Sequence, residues 1–314
     1  MLVSLGADWF NAYSGTVKYA GLLPVFFNKA LMTGLYVSLS CGALYFLQRD
    51  TARGKASLTS GVVVLFISGA LEINYQIGHR FTAIDMTLLY LTAYTYLYIL
   101  LFARFSQRLA LVFYRLLAAG LLTAGVLVYL FSLPEIFDIQ EMMLISGSYL
   151  SHFGVHWIGA VGVVLILKQL LGSQRSGRTQ VRPDVFTWLI CIITVTLLSA
   201  EGQLLVNACC FSRAHDLKEL ARVYNKTGLP ILWGLCSFAF MWLGMRHKFK
   251  PLRIVSLVLF TITLVKLFLF DIRNIPVAGK IAAFFSLGVL LLVVSFMYQR
   301  LKKIIIEDEE KKKI

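Results

Sequence analysis

Two glutamates lie inside long apolar stretches of the chain, where an ionisable group is costly. Glu72 and Glu201 each stand several residues from the nearest end of an apolar block. A charged side chain at the centre of a membrane span costs about 2.5–3.5 kcal/mol on insertion scales, so such residues are candidates for a binding site or a polar path. A carboxylate there could act as a general base or hold a polar head group. Glu72 and Glu201 are therefore the first candidate site residues.

Each glutamate has an amide nearby on its own predicted helix. Gln76 follows Glu72 by four residues, which places both side chains on one face of a helix. Gln203 belongs to a polar stripe on nearly the opposite side of its helix from Glu201. A helix that is polar on two faces belongs inside a bundle rather than against lipid. We therefore add Gln76 and Gln203 to the candidate substrate-binding residues.

Two histidines have the spacing of a helical metal site. His152 and His156 are four residues apart, as in helices that bind zinc through two imidazoles. The intervening residues lack the glutamate that a metalloprotease helix uses as its base. The alternative is that both rings hydrogen-bond to loops or water. The sequence therefore predicts no cofactor other than a metal ion that His152 and His156 would hold.

A lysine lies near the outer end of a later predicted span. Lys266 could contribute a cation to a binding site, or its long stem could extend along apolar surface so that the ammonium reaches the interface. With the orientation given below, the carboxylates, the histidines and this lysine all fall in the outer half of the membrane. We expect Glu72, His152, His156, Glu201 and Lys266 to line one cavity that opens outward.

The composition identifies the apolar stretches as membrane spans. The chain has 314 residues, of which 58% are hydrophobic and only 15% charged, and its mean hydropathy is +0.76. A soluble domain carries about 25% charged residues, so soluble folds are excluded. Blocks of roughly 20 apolar residues indicate helices, not a barrel. The fold class is therefore an all-α, polytopic transmembrane helix bundle. Its nine predicted spans are Lys29–Leu47, Ser57–Ile77, Ala83–Ala103, Leu109–Phe131, Tyr149–Leu171, Asp184–Ala208, Gly228–Met245, Leu252–Phe270 and Lys280–Gln299.

The distribution of basic residues predicts the orientation and the partners. Lys and Arg residues accumulate on one side of the spans, which places the N-terminus outside and the C-terminus in the cytoplasm. The net charge of +14 would suggest nucleic acid for a soluble protein. Here the basic residues sit in short loops and the tail, so we expect contact with membrane lipids and no nucleic-acid partner.

The predicted domain organisation follows from the spans. Residues 1–28 form an external segment, residues 29–299 the nine-helix transmembrane domain, and residues 300–314 a charged cytoplasmic tail. We expect the external connections Ser132–Gly147 and Cys209–Thr227 to be the roomiest loops.

A weak internal duplication is visible between the first four spans and the next four. Laid on each other, these spans align Glu72 with Glu201 and Arg115 with Arg253. This pattern indicates a 4+4 parallel repeat with one helix appended. The alternative is a chance alignment of two apolar segments of similar composition.

Several short elements carry a family resemblance. They are "LLSAE" at Leu197–Glu201, "LRI" at Leu252–Ile254, "KLFLFD" at Lys266–Asp271, "SLGVLLLVVSF" at Ser286–Phe296 and "YQR" at Tyr298–Arg300. With these elements the chain resembles the C-terminal part of the bacterial predicted membrane proteins catalogued as domain of unknown function 2339. The resemblance implies a multi-pass protein of the bacterial inner membrane, either a short member or the C-terminal portion of a longer one. It implies no activity and no catalytic residues.

Three functions fit these observations. The favoured one is a protein that binds or translocates an amphipathic component of the cell envelope through a polar cavity in the outer half of the membrane. The second is an envelope enzyme that acts on a lipid-linked substrate, with Glu and His in acid–base or metal chemistry. The third is a scaffold that holds other membrane subunits of an envelope complex. The cavity distinguishes them, because a scaffold needs none.

Overall fold

The computed structural model describes residues 2–13, 23–25, 27–48, 51–109, 112–175, 182–211 and 217–267, with isolated helical positions between 281 and 295. The regular elements within these ranges are all helices, which confirms the all-α fold class. The chain divides into two compact units, Met1–Arg175 and Ser176–Ile314. The boundary between the units lies one helix after the boundary between the two halves of the predicted repeat. The repeat itself stays a prediction.

The described residues of unit 1 form six α-helices and one short 3₁₀ turn. They are α1 (Leu2–Tyr13), α2 (Lys29–Leu47), α3 (Ala52–Arg80), α4 (Thr87–Leu109), α5 (Val112–Ser146), the 3₁₀ turn Leu150–Phe153 and α6 (Gly154–Arg175). Helix α1 lies within the predicted external segment 1–28, where the sequence indicated no element.

Unit 2 contains four described α-helices and a π turn. They are α7 (Pro183–Cys210), α8 (Leu217–Val223), the π turn Tyr224–Gly228, α9 (Leu229–Arg246) and α10 (Lys250–Lys266). The predicted span Lys280–Gln299, apart from isolated positions, and the tail 300–314 lie outside the described residues.

Seven helical segments in the described ranges are long and apolar enough to cross a membrane. Six of them correspond to α2 through α7, and the seventh runs from Leu217 to Arg246 through α8, the π turn and α9. Span Lys29–Leu47 matches its predicted bounds at both ends. The chain is therefore a multi-pass membrane protein, as the hydropathy predicted.

The two connections expected to be roomy loops are largely helical. Helix α5 has 35 residues and continues through Pro134 to Ser146, about 52 Å at ~1.5 Å per residue. The reason is packing: Leu133, Ile136 and Met143 follow each other at helical spacing and are all buried. In the second connection, residues 217–228 form α8 and the π turn. Both loop predictions were wrong at these residues.

Helices α2 and α3 begin at side-chain caps and pack closely. Asn28 and Thr51 accept hydrogen bonds from the backbone N–H groups of Leu31 and Gly54, so each satisfies one free donor at a helix start. A methyl group at Gly34 would overlap the Ser68 hydroxyl of α3. The small residues therefore let the two helices approach each other, as is common in membrane bundles.

Tyrosine hydroxyls of α4 donate hydrogen bonds to backbone carbonyls of α3. Tyr98 donates to the carbonyl of Val62 at 2.5 Å, and Tyr94 donates to the carbonyls of Leu65 and Phe66 at 3.2 Å. A buried Tyr hydroxyl needs a partner, and carbonyls that already serve the helix can accept a second bond. These contacts fix the register of α4 against α3, the helix that carries Glu72.

Candidate functional site

Glu72 lies on the buried face of α3, in the half of the helix that precedes its C-terminal end. Ser68, Glu72 and Gln76 succeed each other at intervals of four residues and are 0%, 5% and 6% exposed. This is the face that the sequence predicted, and it packs toward α1 and α2 rather than toward lipid. The cost of burying Glu72 must therefore be met by partners from those elements.

Three side chains donate hydrogen bonds to the Glu72 carboxylate. Tyr13 of α1 reaches Oε2 at 2.8 Å, Asn28 reaches the same oxygen at 2.6 Å, and Gln76 reaches Oε1 at 2.9 Å. We call Tyr13, Asn28, Glu72 and Gln76 the Glu72 cluster. Both oxygens accept bonds from donors, which is the arrangement that an ionised carboxylate requires. The sequence analysis found Glu72 and Gln76 but missed Tyr13 and Asn28.

The two amides of the cluster also bond to the non-helical segment before α2. Gln76 Nε2 donates to the carbonyl of Leu23 at 3.0 Å, and Asn28 Nδ2 donates to the carbonyl of Pro24 at 3.4 Å. Asn28 Oδ1 accepts from the N–H of Leu31 at 2.9 Å and so caps α2. Each amide therefore bridges a carboxylate oxygen and a backbone carbonyl, which holds the segment against α3.

The cluster contains a buried acceptor without a partner and a tyrosine with a raised pKa. Gln76 Oε1 is buried and has no hydrogen-bond partner among the residues that the structure describes. Burial and the hydrogen bond to Glu72 raise the pKa of the Tyr13 hydroxyl above its ordinary value. Tyr13 therefore stays a donor to Glu72 at any physiological pH.

The two candidate histidines occupy consecutive elements with different partners. His152 lies in the 3₁₀ turn, where its Nδ1 pairs with the Tyr90 hydroxyl at 2.7 Å. His156 lies in α6, is 1% exposed and stacks on Phe153. Both residues belong to one continuous helical segment, Leu150–Gln174, as the sequence predicted, but its first turn is a tighter 3₁₀ turn that contains His152.

The described part of unit 1 supplies neither a third metal ligand for the two histidines nor a histidine bonded to Glu72. Across the described ranges, no three or more His, Cys, Asp or Glu side chains are grouped so that they could hold a metal ion. Glu72 is bonded to its cluster and His152 to Tyr90, so the structure gives them no common partner. A metal at His152 and His156 stays a prediction.

The remaining candidates belong to unit 2. Glu201 and Gln203 are half-buried on α7. Lys266, in the last turn of α10, donates from Nζ to the carbonyl of Asn225 at 2.6 Å. The Asn225 carbonyl lies in the π turn, where the helical hydrogen-bond pattern changes. Lys266 can therefore satisfy this carbonyl, and it can also line a site. The cavity expected to join these residues to Glu72 stays a prediction.

A cavity that the sequence did not predict lies between α4 and α6. Its volume is about 760 Å³. Its lining consists of Leu97, Leu100, Leu101, Arg104, Gln107, Leu165, Lys168 and Gln169. Gly159 and Gly162 of α6 lie near Thr92 and Tyr96 of α4, so the two helices run parallel. The cavity therefore lies near the C-terminal ends of both, on the predicted cytoplasmic side.

The sequence analysis used the two basic residues of this cavity only to predict the orientation of the chain in the membrane. Arg104 and Lys168 contributed to the charge bias that set the orientation. Only the pairing of α4 with α6 brings the two cations to one cavity. Leucines at one part of its wall and cations with amides at another make the cavity amphipathic, which suits a ligand with an anionic head and an apolar tail.

Comparisons with known proteins agree with this membrane architecture. A family model described as predicted membrane protein (DUF2339) matches residues 3–301. The match covers nearly the whole chain, so the resemblance to this family is confirmed. No curated protein and no solved structure matches the chain.

Proposed function

Since this chain belongs to the DUF2339 family of predicted membrane proteins, we propose that it binds or translocates an amphipathic component of the bacterial cell envelope. The protein would act in the inner membrane. The observation that carries the proposal is the amphipathic cavity between α4 and α6, and the ligand that fits it is a lipid with a phosphate head group.

The residues that line the cavity fit a ligand with an apolar part and an anionic part. Leu97, Leu101 and Leu165 offer apolar surface on which a hydrocarbon chain can lie. Arg104 and Lys168 offer two positive charges to a phosphate, and a guanidinium can bind two phosphate oxygens at once. Because both cations lie near helix ends, the head group would sit at the interface while the chain enters the membrane.

The size of the cavity agrees with this division. A volume of about 760 Å³ lies within the ~300–1,000 Å³ that is usual for small-ligand sites. A whole two-chain lipid is larger, so the cavity would take the head group and the first part of one chain. The rest of the lipid would stay in the bilayer.

Translocation requires a second polar site toward the outer face. The residues named from the sequence for that half, namely Glu72, Gln76, His152, His156, Glu201, Gln203 and Lys266, remain the candidates for it. The Glu72 cluster lies near the N-terminal end of α4, opposite to the cavity. A lipid moved across the membrane would pass from Arg104 and Lys168 toward that end.

The scaffold hypothesis is the second candidate, and a specific observation favours it. The Glu72 carboxylate is bonded by side chains of α1, of the segment before α2 and of α3. A buried network of this kind ties helices together without any ligand. The scaffold hypothesis differs from the binding hypothesis in giving no role to the charges of Arg104 and Lys168.

Lipid binding by the full-length protein tests the proposal. Native mass spectrometry of the purified protein would measure retention of phosphatidylglycerol, phosphatidylcholine and inorganic phosphate. We expect phosphatidylglycerol to be retained preferentially. Each cation near the surface contributes about 1 kcal/mol to binding of an anionic lipid. The double variant Arg104→Gln with Lys168→Gln should therefore bind it roughly 30-fold more weakly.

Arg115→Gln is the matched control. Arg115 is an exposed arginine of α5 on the same predicted side, and it does not line the cavity. This variant should retain phosphatidylglycerol like the unchanged protein. Equal retention by the double variant and the control would overturn the proposal and favour a scaffold. Binding of free phosphate without the lipid would show that the apolar wall plays no part.

A further inference from the structure

Two glutamines line the α4–α6 cavity beside its two cations. Gln107 follows Arg104 by three residues on α4, and Gln169 follows Lys168 directly on α6. The proposed lipid function uses the cations for a phosphate and the leucines for a hydrocarbon chain, and it gives the two amides no task. Since they lie at the polar end of an amphipathic cavity, they can contact the part of a ligand that extends beyond its phosphate.

The order of the lining residues along α4 gives the depth of each group. Leu97, Leu101, Arg104 and Gln107 follow one another at helical spacing and line the same cavity. At ~1.5 Å of rise per residue, Arg104 lies about 10 Å from Leu97 along the helix axis, and Gln107 lies about 4.5 Å farther toward the predicted cytoplasmic side. The leucines are therefore deepest, the cation follows, and the amide is outermost.

The contact between α4 and α6 gives the depth of the groups on α6. A methyl group at Gly162 would lie 2.8 Å from Cβ of Tyr96, so these two residues stand at similar heights in the two parallel helices. Counting onward from this contact places Lys168 and Gln169 within one helical turn of the height of Arg104. The two cations and Gln169 therefore form one polar layer, and the amide of α4 lies beyond it.

Amides in these positions suit a ligand that carries hydroxyl groups. A glutamine has both a donor and an acceptor, and a hydroxyl can pair with either of them. A phosphate bound by Arg104 and Lys168 occupies the layer of the cations. A polyol esterified to that phosphate then reaches Gln107 and Gln169, and two neighbouring hydroxyls offer one partner to each amide.

The charge of this layer disfavours head groups that contain an amine. An ethanolamine or choline substituent would bring a third positive charge beside Arg104 and Lys168, and like charges repel. A polyol is uncharged, so it adds hydrogen bonds without this repulsion. Among lipids with a phosphate, the cavity therefore favours those whose head group is neutral beyond the phosphate and rich in hydroxyls.

We infer that Gln107 and Gln169 select a lipid whose phosphate carries a polyol, such as glycerol or a sugar. The inference rests on the proposed lipid function and names the class of lipid that the same cavity prefers. The phosphate and the hydrocarbon chain supply affinity, whereas the hydroxyls supply specificity. Since a polyol phosphate can also be a soluble molecule, the test includes a soluble form.

A comparison of two lipids of equal charge tests the inference. Phosphatidylglycerol and phosphatidylmethanol with the same acyl chains each carry one negative charge, but only phosphatidylglycerol has hydroxyls beyond the phosphate. Native mass spectrometry of the full-length protein in an equimolar mixture measures the ratio in which the two lipids are retained. We expect phosphatidylglycerol to be favoured about 5-fold, the effect of one hydrogen bond of ordinary strength.

The double variant Gln107→Leu with Gln169→Leu removes both amides and keeps both cations. It should abolish the preference while phosphatidylmethanol stays bound. Gln48→Leu is the matched control, because Gln48 is an exposed glutamine at the end of α2 that does not line the cavity. This control should keep the ratio of the unchanged protein. If the double variant does not accumulate, Gln107→Leu alone decides, since Gln107 is exposed and its replacement should lower the ratio.

The outcomes separate this inference from the proposed function. If neither lipid is retained in preference to phosphatidylcholine, the lipid function fails and the inference fails with it. Equal retention of phosphatidylglycerol and phosphatidylmethanol, or a preference that survives the loss of both amides, would overturn the inference alone. Free glycerol phosphate that displaces phosphatidylglycerol at equal concentration would show that the ligand is a soluble polyol phosphate, which would also contradict the assignment to a lipid.

Discussion

Gln76 donates from Nε2 to Oε1 of Glu72 at 2.9 Å, one helical turn along α3. The same nitrogen donates to the carbonyl of Leu23 at 3.0 Å, while Oε1 of Gln76 has no partner in the described part of the chain. One amide thus joins the carboxylate to the segment before α2 and retains a free acceptor in the buried interior. The stability of unit 1 and the chemistry of its carboxylate depend on the same side chain.

Replacing Glu72 by leucine should be far more harmful than replacing it by glutamine. Leucine leaves the donors of Tyr13, Asn28 and Gln76 without their acceptor, and each buried unpaired donor costs about 1–3 kcal/mol. In Glu72→Gln, a half-turn of the Gln76 amide restores its bond to residue 72 but gives up its bond to the Leu23 carbonyl. We therefore expect a loss of about 1–2 kcal/mol. Thermal unfolding and the amount of protein in the membrane measure both effects. Similar losses for the two variants would contradict the network.

Asn28→Asp should make the stability of the protein depend on pH. The aspartate keeps the oxygen that caps α2, but it replaces a donor 2.6 Å from Glu72 Oε2 by a second carboxylate. Like charges at this distance destabilise the fold, and a proton taken up between them relieves the repulsion. The folded state then binds more protons than the unfolded state, so stability should rise as the pH falls.

Asn28→Ala provides the control for that experiment. It removes the cap, at a cost of about 0.5–2 kcal/mol, and it removes the bond to Glu72, but it adds no charge. Its stability should fall without the acid recovery seen for aspartate. Parallel pH profiles of the two variants, measured by thermal unfolding, would show that Asn28 and Glu72 are not in contact.

Gly34→Ala should weaken the packing of α2 on α3. The added methyl group would overlap the side chain of Ser68, which is 0% exposed and cannot move into solvent. Overpacking of this kind typically costs about 1–3 kcal/mol. Ser68→Gly in the same chain should recover part of the loss, as a double-mutant cycle would show. Gly42→Ala is the control, since nothing lies within 4 Å of the added atom.

Tyr13→Phe should remove part of the alkaline loss of stability. Burial and the bond to Glu72 raise the pKa of Tyr13 in the folded protein, whereas an unfolded tyrosine titrates near 10. The contribution of Tyr13 is therefore complete below pH ~10 and decreases as the pH rises further. Unfolding measured between neutral and alkaline pH should show a shallower decline for the phenylalanine variant. Identical slopes would mean that Tyr13 is not held against Glu72.

The sequence by itself determined the membrane helices and the most unusual residue within them. Blocks of apolar residues can persist in lipid only as helices or closed barrels, so the hydropathy profile alone predicts the fold class. The span Lys29–Leu47 has the bounds that the sequence predicted, because Asn28 caps it and an apolar block follows. Glu72 was identifiable because charge inside an apolar block is rare.

Only the tertiary structure decided which groups contact Glu72 and where a ligand could lie. Tyr13 is 59 positions from Glu72 and Asn28 is 44, and no periodicity relates residues on different helices. Helix α5 continues past Phe131 because distant side chains bury Ile136 and Met143. Arg104 and Lys168 share a cavity only because α4 and α6 run parallel. Local propensity fixes helices, whereas contacts between them depend on how the whole unit packs.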